Sequence, residues 1–462
     1  MIALVISALL AQSQPAAQQQ PGAQQPQPGA QPQPGAQQSQ QVGQPHLLTL
    51  EEAVQNARQH QPQLREARAN TNAAEARADQ ARAPLLPQLG VTAQYERTTA
   101  NFAARPGSVP STVNNGGTTG SNSSFATFNF WNGGATLNQL IFDFGSTIDR
   151  WRAAKAQADA QRATELATVL GIDFTVRQNY FLAQAQKALM QVAQDTLNAQ
   201  TQHRQQTEGF VRAGTQPEIA LATARTNEAN ARVQLITAQN NYETAKVTLN
   251  QAMGIEAGTD YDVAQDPYPA IDVEEAPMDA VVSEAVKARP EVASIEDLIR
   301  VNQLTISSVK GNYLPSISGQ ANVTDSGTAL SSLTWNANVG VVLSWNIFQG
   351  GLTTAQVHEA QANLANVAAQ LDLEKQQIRV DVNAALLAVR AAKASLSATA
   401  EALNNARLQL KLAEQRFQVG VGSAIELTDA QVALTQAAAQ SVQAADNLST
   451  ARAQLVRALG RQ

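Results

Sequence analysis

Two hydrophobic periods alternate along the chain, and they do so twice. From Ile317 to Thr324, apolar Ile317, Gly319, Ala321 and Val323 alternate with Ser318, Gln320, Asn322 and Thr324. Trp335, Ala337, Val339, Val341, Leu343, Trp345 and Ile347 then alternate with mostly Asn, Ser and Gly. Period two predicts strands with one apolar and one polar face, at about 316–324 and 335–348. Residues 89–96 and 125–144 read the same way, less cleanly alternating but rich in aromatics. From Val382 the period becomes seven: Val382, Val389, Leu396, Leu403, Leu410 and Phe417, with Ala385, Ala392, Thr399, Ala406 and Ala413 three places further on. That seam predicts a long helix packed closely on another. No proline follows Pro315 and none lies between Pro110 and Pro217, so nothing interrupts such helices.

Shifting the sequence along itself shows why the pattern occurs twice. Pro62 and Pro87 recur as Pro290 and Pro315, displaced by 228, and Gly145, Gly214 and Gly254 recur as Gly351, Gly420 and Gly460, displaced by 206. The 22-residue difference falls in a Gly/Ser/Asn-rich stretch around Asn114 to Ser124. Each half reads helix, strand, strand, long helix, turn, return helix. The first repeat covers 47–254 with a helical hairpin at 146–254. The second covers 278–462 with a hairpin at 352–460, and an acidic, Pro-containing linker at 255–277 joins them. At about 1.5 Å per residue, each long helix should extend on the order of 100 Å. Four strands cannot close a barrel alone, so a membrane-spanning role requires several chains to pool theirs.

Residues 1–11 form a short apolar run that reads as the core of a signal peptide, although the first basic residue is Arg58. Residues 12–46 are dominated by Gln and Pro and predict a disordered tail. Charged residues make up 15% of the chain, 32 basic against 38 acidic, which argues against nucleic acid as a partner. The absence of cysteine excludes disulfides, thiolate metal sites, a cysteine nucleophile and a lipid-modified cysteine. His46, His60, His203 and His358 are scattered and are expected at the surface. No HExxH, Walker or GxSxG pattern occurs, so neither an enzyme nor a cofactor is expected.

The duplicated unit resembles the outer membrane efflux protein family, the TolC-like channels. The likeness is carried by Leu85-Leu86-Pro87-Gln88-Leu89, Phe142-Asp143-Phe144-Gly145, Ile347-Phe348-Gln349-Gly350-Gly351, Arg416-Phe417-Gln418-Val419-Gly420 and Leu459-Gly460. It implies a homotrimer in which an outer-membrane β-barrel, four strands per chain, continues into a long periplasmic α-helical barrel. It implies a passive exit duct of a Gram-negative-type outer membrane that docks a periplasmic adaptor and an inner-membrane pump or ABC transporter. The linker would lie in a belt around the tunnel's middle. The rival reading is a soluble periplasmic coiled-coil scaffold without a pore.

The resemblance also places site residues. Ala213-Gly214-Thr215 and Val419-Gly420-Val421 would be the adaptor-docking tips, although glycine there is also what a turn between helices needs. Glu426 and Asp429, three apart, would line the periplasmic entrance and favour cations; a solvated face or a complement to the helix dipole explains them equally well. Phe128, Phe130, Trp131, Phe142, Phe144, Trp335 and Trp345 would supply an aromatic girdle against outer-membrane lipid. An arginine near the second tip pairs elsewhere in the family with an aspartate past the first. Gly422 and Ala220 stand at those positions, and Glu218 and Arg212 are the nearby substitutes.

Overall fold

The computed structural model describes residues 46–99, 127–256 and 258–461. The signal-peptide core, the Gln/Pro-rich residues up to Pro45, the insertion around Asn114 to Ser124 and positions 125 and 126 lie outside them. The first repeat runs β1 (His46–Leu48), α1 (Leu50–His60), α2 (Pro62–Arg82), β2 (Gln88–Thr99), β3 (Thr127–Phe142), α3 (Ser146–Arg212) and α4 (Glu218–Met253). The second runs β4 (Tyr261–Val263), α5 (Met278–Ala288), α6 (Pro290–Gly311), β5 (Ser316–Gly327), β6 (Thr334–Ser344), α7 (Leu352–Gln418) and α8 (Ala424–Ala458). α3 and α7 each have 67 residues, about 100 Å of helix.

The six glycines that define the repeat punctuate these helices. All six have positive φ, from 69° at Gly460 to 86° at Gly145. Gly145 and Gly351 open α3 and α7, while Gly214, Gly420, Gly254 and Gly460 follow the four hairpin helices. A left-handed residue stops or starts a helix at almost no cost only when it lacks a Cβ. One half departs from this pattern: Phe144 has φ 54° where the second repeat has Gly350 at 61°.

Packing repeats as well. Ile172, Val176, Tyr180, Leu249 and Met253 of α3 and α4 form one core with Leu48, Val54 and Leu64. Their counterparts 206 residues on, Ile378, Val382, Leu386, Leu455 and Leu459, form a second with Val281 and Val282. Along the heptad seam Val382, Ala385 and Val389 are fully buried and Ala392, Ala406, Ala413 and Phe417 nearly so, while Leu396, Thr399, Leu403 and Leu410 are half-buried. α3 and α7 are separated by α6 along one stretch and by α8 along the other.

The linker is clamped to this frame. β4 pairs with β1 in parallel, and the Tyr180 hydroxyl donates to the carbonyls of Leu48 and Ala264. Glu274 is buried against Arg452 at 2.7 Å and Lys393 at 3.1 Å. Burial disfavours its charge, but the Ile271 N–H, Arg452 and Lys393 together hold its carboxyl below the usual glutamate range.

Candidate functional site

The four long strands form one antiparallel sheet in the order β2-β3-β5-β6. Register aligns their apolar sets on a single face. Val339 lies opposite Ala321, Ala321 opposite Leu137 and Leu137 opposite Leu89; one row along, Ala337, Val323, Ala135 and Val91 repeat the match. The other face carries Asn338, Asn322, Thr136 and Gly90. The apolar face is open: Val339 is 88% exposed and Trp335 74%. So continuous an exposed apolar surface marks contact with something apolar.

The expected girdle residues divide. Trp131 and Trp335 stand on the apolar face at the end away from the helices, and Trp131 lies 4.4 Å from the Tyr95 ring, centroid to centroid. At the helix-proximal end, a bulge at Ile141 restores Phe142 to this face opposite Ile317. Phe144 follows in the turn, its ring 4.7 Å from Phe142. Trp345 lies just past the sheet, since β6 ends at Ser344, and its indole N–H donates to the Tyr313 carbonyl at 3.1 Å. Phe130 requires a correction. It pairs with Glu96 and belongs by alternation to the polar face; of Phe128 only the backbone pairing with Thr98 is described. The pairing partner of Phe130, which counting aromatics does not reveal, places it away from the apolar face.

The two hairpin tips share one backbone solution. At the first, the Gly214 N–H donates to Val211 and the Thr215 N–H to Phe210; at the second, Gly420 donates to Phe417 and Val421 to Arg416. Both are Schellman motifs with glycine as the left-handed residue. Ala213, Gly214, Thr215, Val419, Gly420 and Val421 are all exposed, Val419 to 73%.

Beyond the second tip, Ser423 caps α8 by accepting the Glu426 N–H at 3.1 Å. Glu426 therefore sits in the first turn, where its charge suits the helix dipole, and it also lies 3.4 Å from Arg416. Asp429 is exposed and forms no ion pair among the described residues. The two acids are thus unequal, one engaged and one open. Arg212 pairs with Glu208 at 3.5 Å rather than with Glu218. A Cβ on Gly422 would come within 2.9 Å of the Phe417 backbone nitrogen, so no side chain fits there without a shift in the turn.

One group of residues escaped the sequence reading. His203 is buried rather than superficial: only 7% is exposed, its ring is 5.6 Å from Phe417, and Nδ1 has no partner among the described residues. Burial lowers its pKa, keeping the ring neutral. Nearby, the Gln200 amide donates to Gln431 at 2.9 Å and the Thr196 and Thr435 hydroxyls meet at 3.1 Å, joining α3 to α8. Thr196, Gln200, His203 and Thr207 follow a 4-3-4 spacing, a seam written in polar residues that a search for apolar positions passes over. His46, His60 and His358 are exposed.

The model of the outer membrane efflux protein family matches residues 53–255 and 281–461. Outer membrane protein TolC of Escherichia coli is 26% identical over 89% of this chain and 82% of its own length. The probable efflux pump outer membrane protein TtgC of Pseudomonas putida is 24% identical over 90% and 83%. Among solved structures, the Campylobacter jejuni CmeC outer membrane channel superposes with a TM-score of 0.76 at 16% identity, covering 95% of this chain and 94% of its own. The Vibrio cholerae outer membrane protein VceC gives 0.74 at 18%, covering 89% and 96%. These likenesses disfavour a scaffold without a pore. With two matched repeats, an open-faced sheet and paired helical hairpins, the chain belongs to the outer membrane efflux protein family and serves as an efflux duct in the outer membrane of a Gram-negative bacterium.

Proposed function

We propose that three copies of the chain pool their sheets into one barrel, with the helical hairpins forming a tunnel below it. The observation that carries this reading is the open sheet. Among the described residues, β2 and β6 have no outer partner strand, and an unpaired edge is not tolerated in lipid. Joining β6 of one copy to β2 of the next satisfies both edges. Trp335 and Trp345 are about ten residues apart, roughly 25 Å along the axis of a tilted barrel, which matches the height of a lipid-facing band.

The exposed tips dock a periplasmic adaptor, which recruits the inner-membrane transporter that supplies energy. Asp429, free of an ion pair, sets cation preference at the entrance more than Glu426, which Arg416 partly neutralises. The test is single-channel recording in a planar bilayer, with the mass measured in detergent. A trimer with discrete, cation-preferring conductance is expected, and Asp429→Asn should weaken that preference more than Glu426→Gln. A monomer without conductance would overturn the barrel, and unchanged selectivity in both variants would remove the acids from the pore. Val421→Glu should abolish efflux in cells while trimers persist; normal efflux would move the docking surface elsewhere.

A further inference from the structure

Where α3, α8 and α7 meet near the end of α8, they enclose a groove of about 550 Å³. Asn447, Thr450 and Gln454 of α8 form its floor, with Asp446 at its edge and Gln178 of α3 and Ala391 of α7 on its walls. That volume suits a small organic molecule. Asp446 is the charged residue of the lining, and amides, hydroxyls and alanines make up most of the rest.

The carboxylate is poorly satisfied. Gln443 donates to Oδ2 at 3.2 Å, while Oδ1 is buried without a partner among the described residues. Burial holds the carboxyl above its ordinary value against that single hydrogen bond, and the groove lining contains no lysine, arginine or histidine. A cation at the groove would supply what the fold does not.

The direction in which the groove opens follows from helix geometry. Arg452 of α8 grips the linker through Glu274 and the Tyr268 carbonyl. At about 100° per residue, Thr450 and Gln454 lie roughly 160° around α8 from Arg452. At Thr450 and Gln454 the groove therefore opens away from the linker. Asp446, about 120° around from Arg452, stands at its edge, where it also borders a second pocket lined by the linker residues Gln265 and Pro267. With the linker as an outer belt, the side away from it is the lumen.

We propose that this groove is a transit subsite for amphiphilic organic cations, with Asp446 seating the positive centre and the alanine wall the apolar body. The proposal rests on the duct reading above. It predicts that tetraphenylphosphonium, added on the tunnel side in planar bilayers, blocks the current. Asp446→Asn should raise the half-blocking concentration roughly tenfold, the order expected for one lost charge contact. Ala391→Leu, which fills the groove from an exposed wall and leaves the charge in place, should raise it as well. Neutral triphenylphosphine oxide should not distinguish Asp446→Asn from the parent protein. Equal half-blocking concentrations of the cation in the parent and both variants would overturn the subsite. A trimer without any conductance would instead overturn the duct. Calorimetry of tetraphenylphosphonium binding in detergent would then still decide the groove: loss of affinity in Asp446→Asn supports it, and unchanged affinity rejects it.

Discussion

The two hairpin tips share a backbone and differ in almost everything attached to it. Gly214 and Gly420 have φ of 72° and 81°, and both close the same pair of hydrogen bonds. At the second tip, Phe417 is buried against Ala413, Leu427 and Ala430, Ser423 caps the return helix and Arg416 faces Glu426. Displaced by 206, the corresponding residues of the first tip are half-buried Val211, Pro217 with no side chain to cap, Phe210 and Ala220. The first tip is held instead by charge, with Arg204 bridging Glu208 and Glu228. Duplication preserved the turn, whose geometry depends on one glycine, and released the side chains. The second tip rests on packing and capping beside one ion pair, the first on half-buried ion pairs and on Phe210, whose ring lies 6.0 Å from that of Phe417.

This contrast is open to direct tests, most cleanly by hydrogen exchange at the tip amides in the assembled protein. Phe417→Ala should lower protection at the second tip by about 3 kcal/mol, because it empties a small core, whereas Val211→Ala should cost under about 1 kcal/mol. Equal losses would mean that the tips are held alike. Gly422→Ala should cost about 2 kcal/mol, since its Cβ meets backbone that cannot swing aside; Gln216→Ala at the matching place should be nearly silent. Ser423→Ala should expose the Glu426 amide and cost about 1 kcal/mol, while Pro217→Ala removes no cap.

The smallest expected effect is one of pH. Burial lowers the His203 pKa, so the unfolded chain binds its proton more readily than the folded one. Stability from this residue is therefore complete above the unfolded value, about 6.5, and falls as pH drops below it. Protection along the α3–α8 seam should decline on mild acidification, and His203→Gln should abolish that decline. A decline that persists in the variant would assign it to other groups, Glu414 on the same small cavity first among them.

What could be read beforehand was local. Period two in Trp335 to Leu343 marked a half-exposed strand, and the sevenfold seam from Val382 marked a long packed helix, because each pattern is the side-chain geometry of its own element. What could not be read was relational. Phe130 is aromatic like Trp131, yet one stands on the polar face and the other on the apolar one. The difference lies in the pairing with Glu96 and Tyr95, on a strand more than thirty residues away. Glu426 looked like a pore acid equal to Asp429 until the turn brought Arg416 against it.

The sequence by itself determined the duplication, the class of each element and the places where the chain reverses, since a glycine at left-handed φ is a property of one residue. Only the tertiary structure decided which faces are covered. It buried His203 beneath Phe417, left Gly422 no room for a side chain, and set Asp446 at the edge of a groove between α3, α7 and α8. Burial and charge balance are relations between segments hundreds of residues apart, and no window on a single segment contains them.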